Sequence, residues 1–293
     1  MSDAPWIDEF LRREALPQSY REVLRAHVLP LGEEVAAAAR GLGRPLDVGL
    51  CGAQGSGKST MAAALAAQLT ARGLTVAALS LDDCYLTHAE RQTLARTVHP
   101  LLATRGVPGT HDVALARRTF ASLAKPGETA LPSFDKAVDD RREAALWPRI
   151  AGPADVVLFE GWCVGARPQA REALREPVNA LERDEDPRGL WRDYVNAALE
   201  GAYRPLFDGF DRLILLQAPS FEVVFNWRRE QERKLARRVA ASGAKATRVM
   251  DEAQLARFIA HYERLTRHIL AEMPARADVL FTLDAQRRLT RRR

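Results

Sequence analysis

Gly52-Ala-Gln-Gly-Ser-Gly-Lys58-Ser59, followed by Thr60, is the stretch on which the reading of this chain turns. It fits the spacing G-x-x-x-x-G-K-S/T without a mismatch, and its flanks suit the motif. The apolar run Leu46–Cys51 enters it as a buried strand would. Ser59–Arg72 leaves it as an alanine-rich helix stopped by Gly73. Glycines let backbone N–H groups converge on phosphate oxygens, and the helix that follows adds its positive N-terminal end. Gly52, Ala53, Gln54, Gly55, Ser56, Gly57, Lys58, Ser59 and Thr60 are therefore the expected phosphate-binding residues. Lys58 is expected to reach the β- and γ-phosphates of a nucleotide, and the Ser59 hydroxyl to ligate Mg2+.

Outward from this loop, apolar runs alternate with amphipathic segments. The runs Thr75–Leu81, Asp155–Glu160, Arg212–Ala218 and Val279–Leu283 read as strands. Val113–Leu123, Leu190–Phe207, Phe221–Ala241 and Asp251–Met273 read as helices. That alternation predicts a mainly parallel sheet with helices on both faces. Residues 6–40 read as helical, punctuated by Pro17 and Pro30. Thr97–Thr110 and Lys125–Ile150 read as loops, Arg167–Arg188 as an exposed excursion, and Arg291–Arg293 as a frayed end. The expected organisation is one domain over residues 1–293. Residues 1–45 form a helical extension, and residues 46–293 form the core with a helical lid at about 221–250.

Composition narrows the class. Of 293 residues, 47% are hydrophobic and 28% charged, as in a folded protein rather than a disordered one. No apolar run approaches the ~20 residues of a membrane helix, and the N-terminus lacks the charged and apolar regions of a secretory signal. Cys51, Cys84 and Cys163 form no C-x-x-C pair, so a reducing cytoplasm is the expected compartment. The net charge is +5, and residues 221–293 hold 17 basic against 9 acidic residues. Such an excess suits a polyanion, an anionic surface or a phosphorylated small molecule. Only five basic residues are lysines; Lys58 lies in the phosphate loop and Lys136 ends the stretch Pro132-Ser-Phe-Asp-Lys136.

Ligands of open α/β sheets bind beyond the C-terminal ends of the strands. Two acidic clusters fall there: Asp82-Asp83 after one strand and Glu160 at the end of another. Transfer of a phosphoryl group to a hydroxyl needs a carboxylate to orient or deprotonate that hydroxyl, and a group holding the metal. Asp82 is the candidate for the first role and Glu160 for the second. Helix capping or turn formation is the bland reading of each. The loops add Arg105, His111, Asp112, Asp135 and Lys136, which suit an acceptor carrying a carboxylate and hydroxyls. On the long basic helix, Arg228 is the candidate for contact with the migrating phosphoryl group, with Arg229, Gln231 and Arg264 near it. A solvated face laced with ion pairs such as Glu230–Lys234 is the alternative.

Taken together, the motifs resemble the D-glycerate 3-kinase group, within the wider set of uridine kinase, phosphoribulokinase and type-I pantothenate kinase. They are G-A-Q-G-S-G-K-S-T (52–60), S-L-D-D-C-Y-L-T (80–87), R-G-V-P-G-T-H-D (105–112), P-S-F-D-K (132–136), V-V-L-F-E-G-W (156–162) and W-R-x-x-Q-E (227–232). The resemblance implies a P-loop NTPase three-layer α/β sandwich that binds ATP and Mg2+ and phosphorylates a hydroxyl of D-glycerate. It implies Asp82 as base, Glu160 toward Mg2+, Arg228 as the lid arginine, and Asp83 and Tyr85 among the substrate-side residues. Two departures stand out: Cys84 where an aromatic is common, and Val138-Asp-Asp-Arg141-Arg142 where glycine-containing text is usual. The alternatives are a kinase of another small metabolite, such as uridine or pantothenate, and a regulatory or nucleic-acid-binding P-loop ATPase. No guanine motif N/T-K-x-D, no L-S-G-G-Q signature and no aromatic-interleaved basic platform is present. Neither a nucleic-acid nor a membrane partner is expected.

Overall fold

The structure is a computed structural model that describes residues 5–242 and 250–293, apart from the side chains at 231, 234–242 and 291. Residues 243–249 of the expected lid, and the expected contributions of Gln231 and Lys234, therefore lie outside the described residues.

Among the described residues, ten strands run in chain order: β1 (Leu46–Gly52), β2 (Val76–Ser80), β3 (Gly127–Ala130), β4 (Phe134–Asp135), β5 (Asp140–Arg141), β6 (Arg149–Gly152), β7 (Val156–Gly161), β8 (Arg212–Gln217), β9 (Val279–Leu283) and β10 (Leu289–Arg292). Six of them form one sheet in the order β10-β9-β8-β1-β7-β2. All its pairings are parallel except β9–β10. Successive residues of a strand face opposite sides of the sheet, and the burial follows that rule. Val156 and Leu158 of β7 enter one core, with Ile7, Phe10, Leu31 and Leu65 from helices. Val157 and Phe159 enter the other, with Val113, Tyr203 and Ile269. The expected three-layer α/β sandwich is thus the observed one.

Residues 6–40 fold as the helix Pro5–Arg13 and a longer run from Tyr20 to Ala39. Pro17 lies in the break between them. Pro30 does not end the second run, because a π-turn over Leu24–Val28 precedes it and Pro30 sits in the first turn of Leu29–Ala39. A wider turn there accommodates a residue that has no N–H to donate.

Three segments differ from expectation, and a fourth, His88–Thr97, carried none. His88–Thr97 is a helix started by a reciprocal capping box between Thr87 and Glu90. The supposed loop Lys125–Ile150 folds into two antiparallel ribbons, β3–β6 and β4–β5. The end at Arg291–Arg293 is not frayed, since β10 pairs with β9 and Leu280 and Arg293 exchange backbone hydrogen bonds of 3.0 Å. The excursion Arg167–Arg188 is partly interior. Glu182, on the short helix Ala180–Glu185, is fully buried and accepts from Arg264 at 2.7 and 2.8 Å.

That last pair corrects the expectation for Arg264. Its guanidinium also donates to the carbonyls of Ala173 and Glu176, so it is a buried tie between the excursion and the helix Glu252–Glu272. Removing one partner of such a pair leaves an uncompensated interior charge. Glu182→Ala is expected to lower stability by about 3–5 kcal/mol, read as a fall in the urea unfolding midpoint.

Candidate active site

Because β1, β2 and β7 run parallel, their C-terminal ends open on one edge of the sheet. The register sets Glu160 beside both Leu50 of β1 and Ser80 of β2. The loop after β1 turns on Gly55 (φ 80°) and Gly57 (φ 90°), left-handed conformations that favour glycine. The helix Lys58–Ala71 starts directly behind it. Ser59 Oγ donates to Glu160 Oε1 at 2.8 Å, while Glu160 Oε2 is buried without a hydrogen-bond partner. An orphaned carboxylate oxygen beside a hydroxyl fits a hard divalent cation, which in such sites takes few protein ligands and completes its shell with phosphates and water. No group of three His, Cys, Asp or Glu side chains suited to a metal occurs among the described residues.

Past β2 the chain makes a short 3-10 turn, Leu81–Cys84, in which Ser80 Oγ accepts from the Asp82 N–H. This turn aims Asp82 at the cleft. One carboxylate oxygen accepts from Tyr85 Oη at 3.0 Å and the other from Lys136 Nζ at 2.5 Å. Burial on its own raises the Asp82 carboxyl, but Lys136 and Lys58 outweigh it and hold it at about 2.

The cleft measures about 250 Å3 and is walled by the phosphate loop, Lys58, Asp82, Tyr85, Arg105, Lys136 and Arg228. Its remaining wall is aromatic: Trp162, Phe258 and Tyr262. Trp162 Nε1 donates to the Gly106 carbonyl at 2.8 Å and its ring meets Tyr262 edge-on at 4.9 Å. Arg228 bonds Glu232, one turn on, and lies 5.7 Å from the Phe258 ring centroid. Arg229, by contrast, donates to Asn226 and does not line this cleft.

The remaining substrate-side candidates stand behind the cleft rather than in its wall. His111 is buried and stacks on Tyr85 at 4.4 Å, with Nδ1 2.6 Å from Tyr203 Oη. Burial depresses it to about 3, so it is neutral near pH 7. Asp112 caps the helix Val113–Leu123 through the Leu115 N–H at 2.8 Å and meets Arg141 at 3.4 Å. Asp83 accepts from the Phe134 N–H, and Asp135 from the Ala137 N–H. Their contacts fix the loops that carry Tyr85 and Lys136. Cys84 is buried in the sheet's second core and does not line the cleft. Sequence spacing carries no sign of Phe258 and Tyr262, which read only as the apolar face of an amphipathic helix. Trp162 sits within a quoted motif but carries no titratable group to draw notice.

Across the phosphate loop, sharing Gly55 with the cleft, lies a second cavity of about 330 Å3. Thr60 and Met61 of the helix behind the loop line it. Leu16, Tyr20 and Val23 of the N-terminal segment and Leu283, Arg287 and Leu289 around the β9–β10 turn form its sides.

With this geometry established, comparisons with known proteins place the chain. The family of methylmalonyl Co-A mutase-associated GTPase MeaB matches residues 26–88 alone, the part containing β1, the phosphate loop and β2. An uncharacterized kinase of Schizosaccharomyces pombe, mug58, is 36% identical over 232 residues, 75% of this chain and 79% of that protein. The chloroplastic D-glycerate 3-kinase of Arabidopsis thaliana is 31% identical over 251 residues, 80% of this chain but half of that protein. The solved D-glycerate 3-kinase from Cryptococcus neoformans superposes with a TM-score of 0.72 at 26% identity, covering 92% of this chain and 99% of that one. The chain belongs to the P-loop kinases of the D-glycerate 3-kinase family.

Proposed function

We propose that the protein transfers the γ-phosphoryl group of ATP to a hydroxyl of a small sugar acid, D-glycerate, giving 3-phosphoglycerate. The observation that carries this reading is the cleft itself. It is a small space in which the candidate base, Asp82, faces the phosphate loop and three further cations, Arg105, Lys136 and Arg228. Two relatives named as D-glycerate 3-kinases support the acceptor.

In this mechanism the loop N–H groups and Lys58 hold the β- and γ-phosphates, and Arg228 meets charge on the phosphoryl group in transit. Arg105 and Lys136 take the acceptor's carboxylate. Asp82 accepts the proton of the attacking hydroxyl as its oxygen bonds to the γ-phosphorus and the bond to the β-phosphate oxygen breaks. Ser59 and Glu160 would hold a divalent cation, which would supply neutralisation of the phosphate charge. Trp162, Phe258 and Tyr262 exclude water, which would otherwise compete as the acceptor. The second cavity suits the nucleotide base, so that the N-terminal segment completes the nucleotide site through Leu16, Tyr20 and Val23.

The substrate is tested by incubating the protein with Mg·ATP and a panel of D-glycerate, other sugar acids, uridine and pantothenate. Product from D-glycerate in preference to the rest is expected; product only from another member sinks the assignment. Lys58→Ala is expected to abolish turnover. Asp82→Asn is expected to lower kcat by roughly 10²–10⁴, and near-normal kcat in this variant would remove Asp82 from the base role.

Lys136→Met yields a pH test. The base works ionised, and Lys136 is the largest influence lowering its pKa. Its loss is expected to move the acidic limb of kcat/KM to higher pH by roughly one to three units, measured across a buffer series. Tyr20→Ala is expected to raise the KM for ATP roughly tenfold, the worth of one aromatic contact, with the acceptor KM unmoved.

A further inference from the structure

The loop between β4 and β5 holds an unusual residue for its backbone. Asp139 adopts φ 60°. A non-glycine residue there costs of order 1 kcal/mol and persists only where its surroundings over-determine it. Those surroundings are cationic. The Asp139 carboxylate bonds the Arg105 guanidinium, lies 3.1 Å from Arg91 and 3.5 Å from His88 Nδ1. Arg91 is fully buried and, besides its contact with the Asp139 carboxylate, donates to the carbonyls of Leu86, Ala103 and Asp139 itself. The loop is therefore anchored through main-chain atoms whether or not the Asp139 side chain is charged. Arg105 is different: it lines the cleft and is about a quarter exposed.

The same arrangement recurs at the other two cations that face the acceptor space. Lys136 is met by Asp82, and Arg228 by Glu232. Asp82 has a role as base and Glu232 lies on the lid helix, whereas Asp139 does neither and does not line the cleft. An acidic acceptor that uses Arg105 meets a guanidinium whose Nη1 is already paired with an internal carboxylate, and the product, with its added phosphate charge, meets the same competitor as it leaves.

We propose that Asp139 is a specificity-determining residue: an internal counter-ion that competes with the acceptor's carboxylate for Arg105 and so sets how strongly acids are held. The proposal rests on the functional reading above. It carries a definite sign. A residue that merely positioned Arg105 would weaken acceptor binding when removed, while a competitor strengthens it.

Asp139→Asn is the appropriate variant. Asparagine tolerates the left-handed backbone, keeps the shape and removes the charge. The acceptor KM for D-glycerate is expected to fall roughly two- to fivefold, the range of a partly exposed ion pair, with the KM for ATP unmoved. With glycerol, a neutral acceptor, no such fall is expected. Adding Arg105→Ala to the Asp139→Asn protein should erase the gain.

A D-glycerate KM that rises or stays level, or a fall of equal size for glycerol, overturns the proposal. If the unaltered protein phosphorylates no sugar acid, the functional reading alone fails. Calorimetric titration of both proteins with glycerate, lactate and malonate then decides the role of Asp139. Tighter binding of these carboxylates by Asp139→Asn upholds the proposal, and equal, weaker or undetectable binding in both proteins overturns it.

Discussion

The site depends on the parallel pairing of β7 with both β1 and β2. Three strands that run the same way end on the same edge, and their registers set Glu160 level with Leu50 and Ser80. From that follow the short path from Ser59 to Glu160, the position of Asp82 one short turn beyond β2, and the opening of the phosphate loop onto both. An antiparallel β7 would send Glu160 to the far end of the sheet. The two cores enforce the pairing, since a one-residue slip in β7 would exchange Val156 and Leu158 with Val157 and Phe159 between faces.

Among the described residues, charge is largely settled internally. The basic excess of residues 221–293 suggested a polyanion, yet most of its described arginines meet carboxylates of the same chain. Arg257 pairs with Glu185, Arg264 with Glu182, Arg267 with Glu222 and Glu263, Arg276 with Glu272, Arg288 with Asp284, and Arg292 with Glu34. Most of these are exposed pairs worth little stability individually. Among them, the pairs of Arg257, Arg264 and Arg267 with Glu185, Glu182 and Glu222 join separate helices, and Arg292 ties β10 to the helix Leu29–Ala39. Arg287 joins two regions in this way: it bonds Glu230 of the long helix, stacks over Trp227, and lines the cavity beside the phosphate loop. The helix carrying Arg228 is thereby tied to the turn that flanks the second cavity.

Much of this molecule was legible in its residues. The phosphate loop, five of the six strands in the central sheet and the two long C-terminal helices follow from local spacing. Harder to read were short elements with few residues to signal them. The ribbons β3–β6 and β4–β5 lack long alternating runs, and the helix His88–Thr97 buries only Arg91. Among the polar candidates, motif membership did not distinguish a residue in the cleft wall from one supporting it. Tyr85 and His111 lie in neighbouring motifs, yet the stacking of one on the other leaves only Tyr85 facing the cleft.

Local spacing encodes the loop from Gly52 to Thr60 and the order of strands and helices, because hydrogen bonding and burial periodicity act between near neighbours in the chain. Proximity between distant segments has no such periodic signature. The meeting of Asp82 with Lys136, of Arg105 with Asp139, of Arg264 with Glu182, and of Tyr20 with Leu289 around one cavity arises only when register and helix packing bring separate segments together. The chemistry expected of the site was therefore readable from its residue types, whereas the assignment of each carboxylate to a particular cation came from the fold.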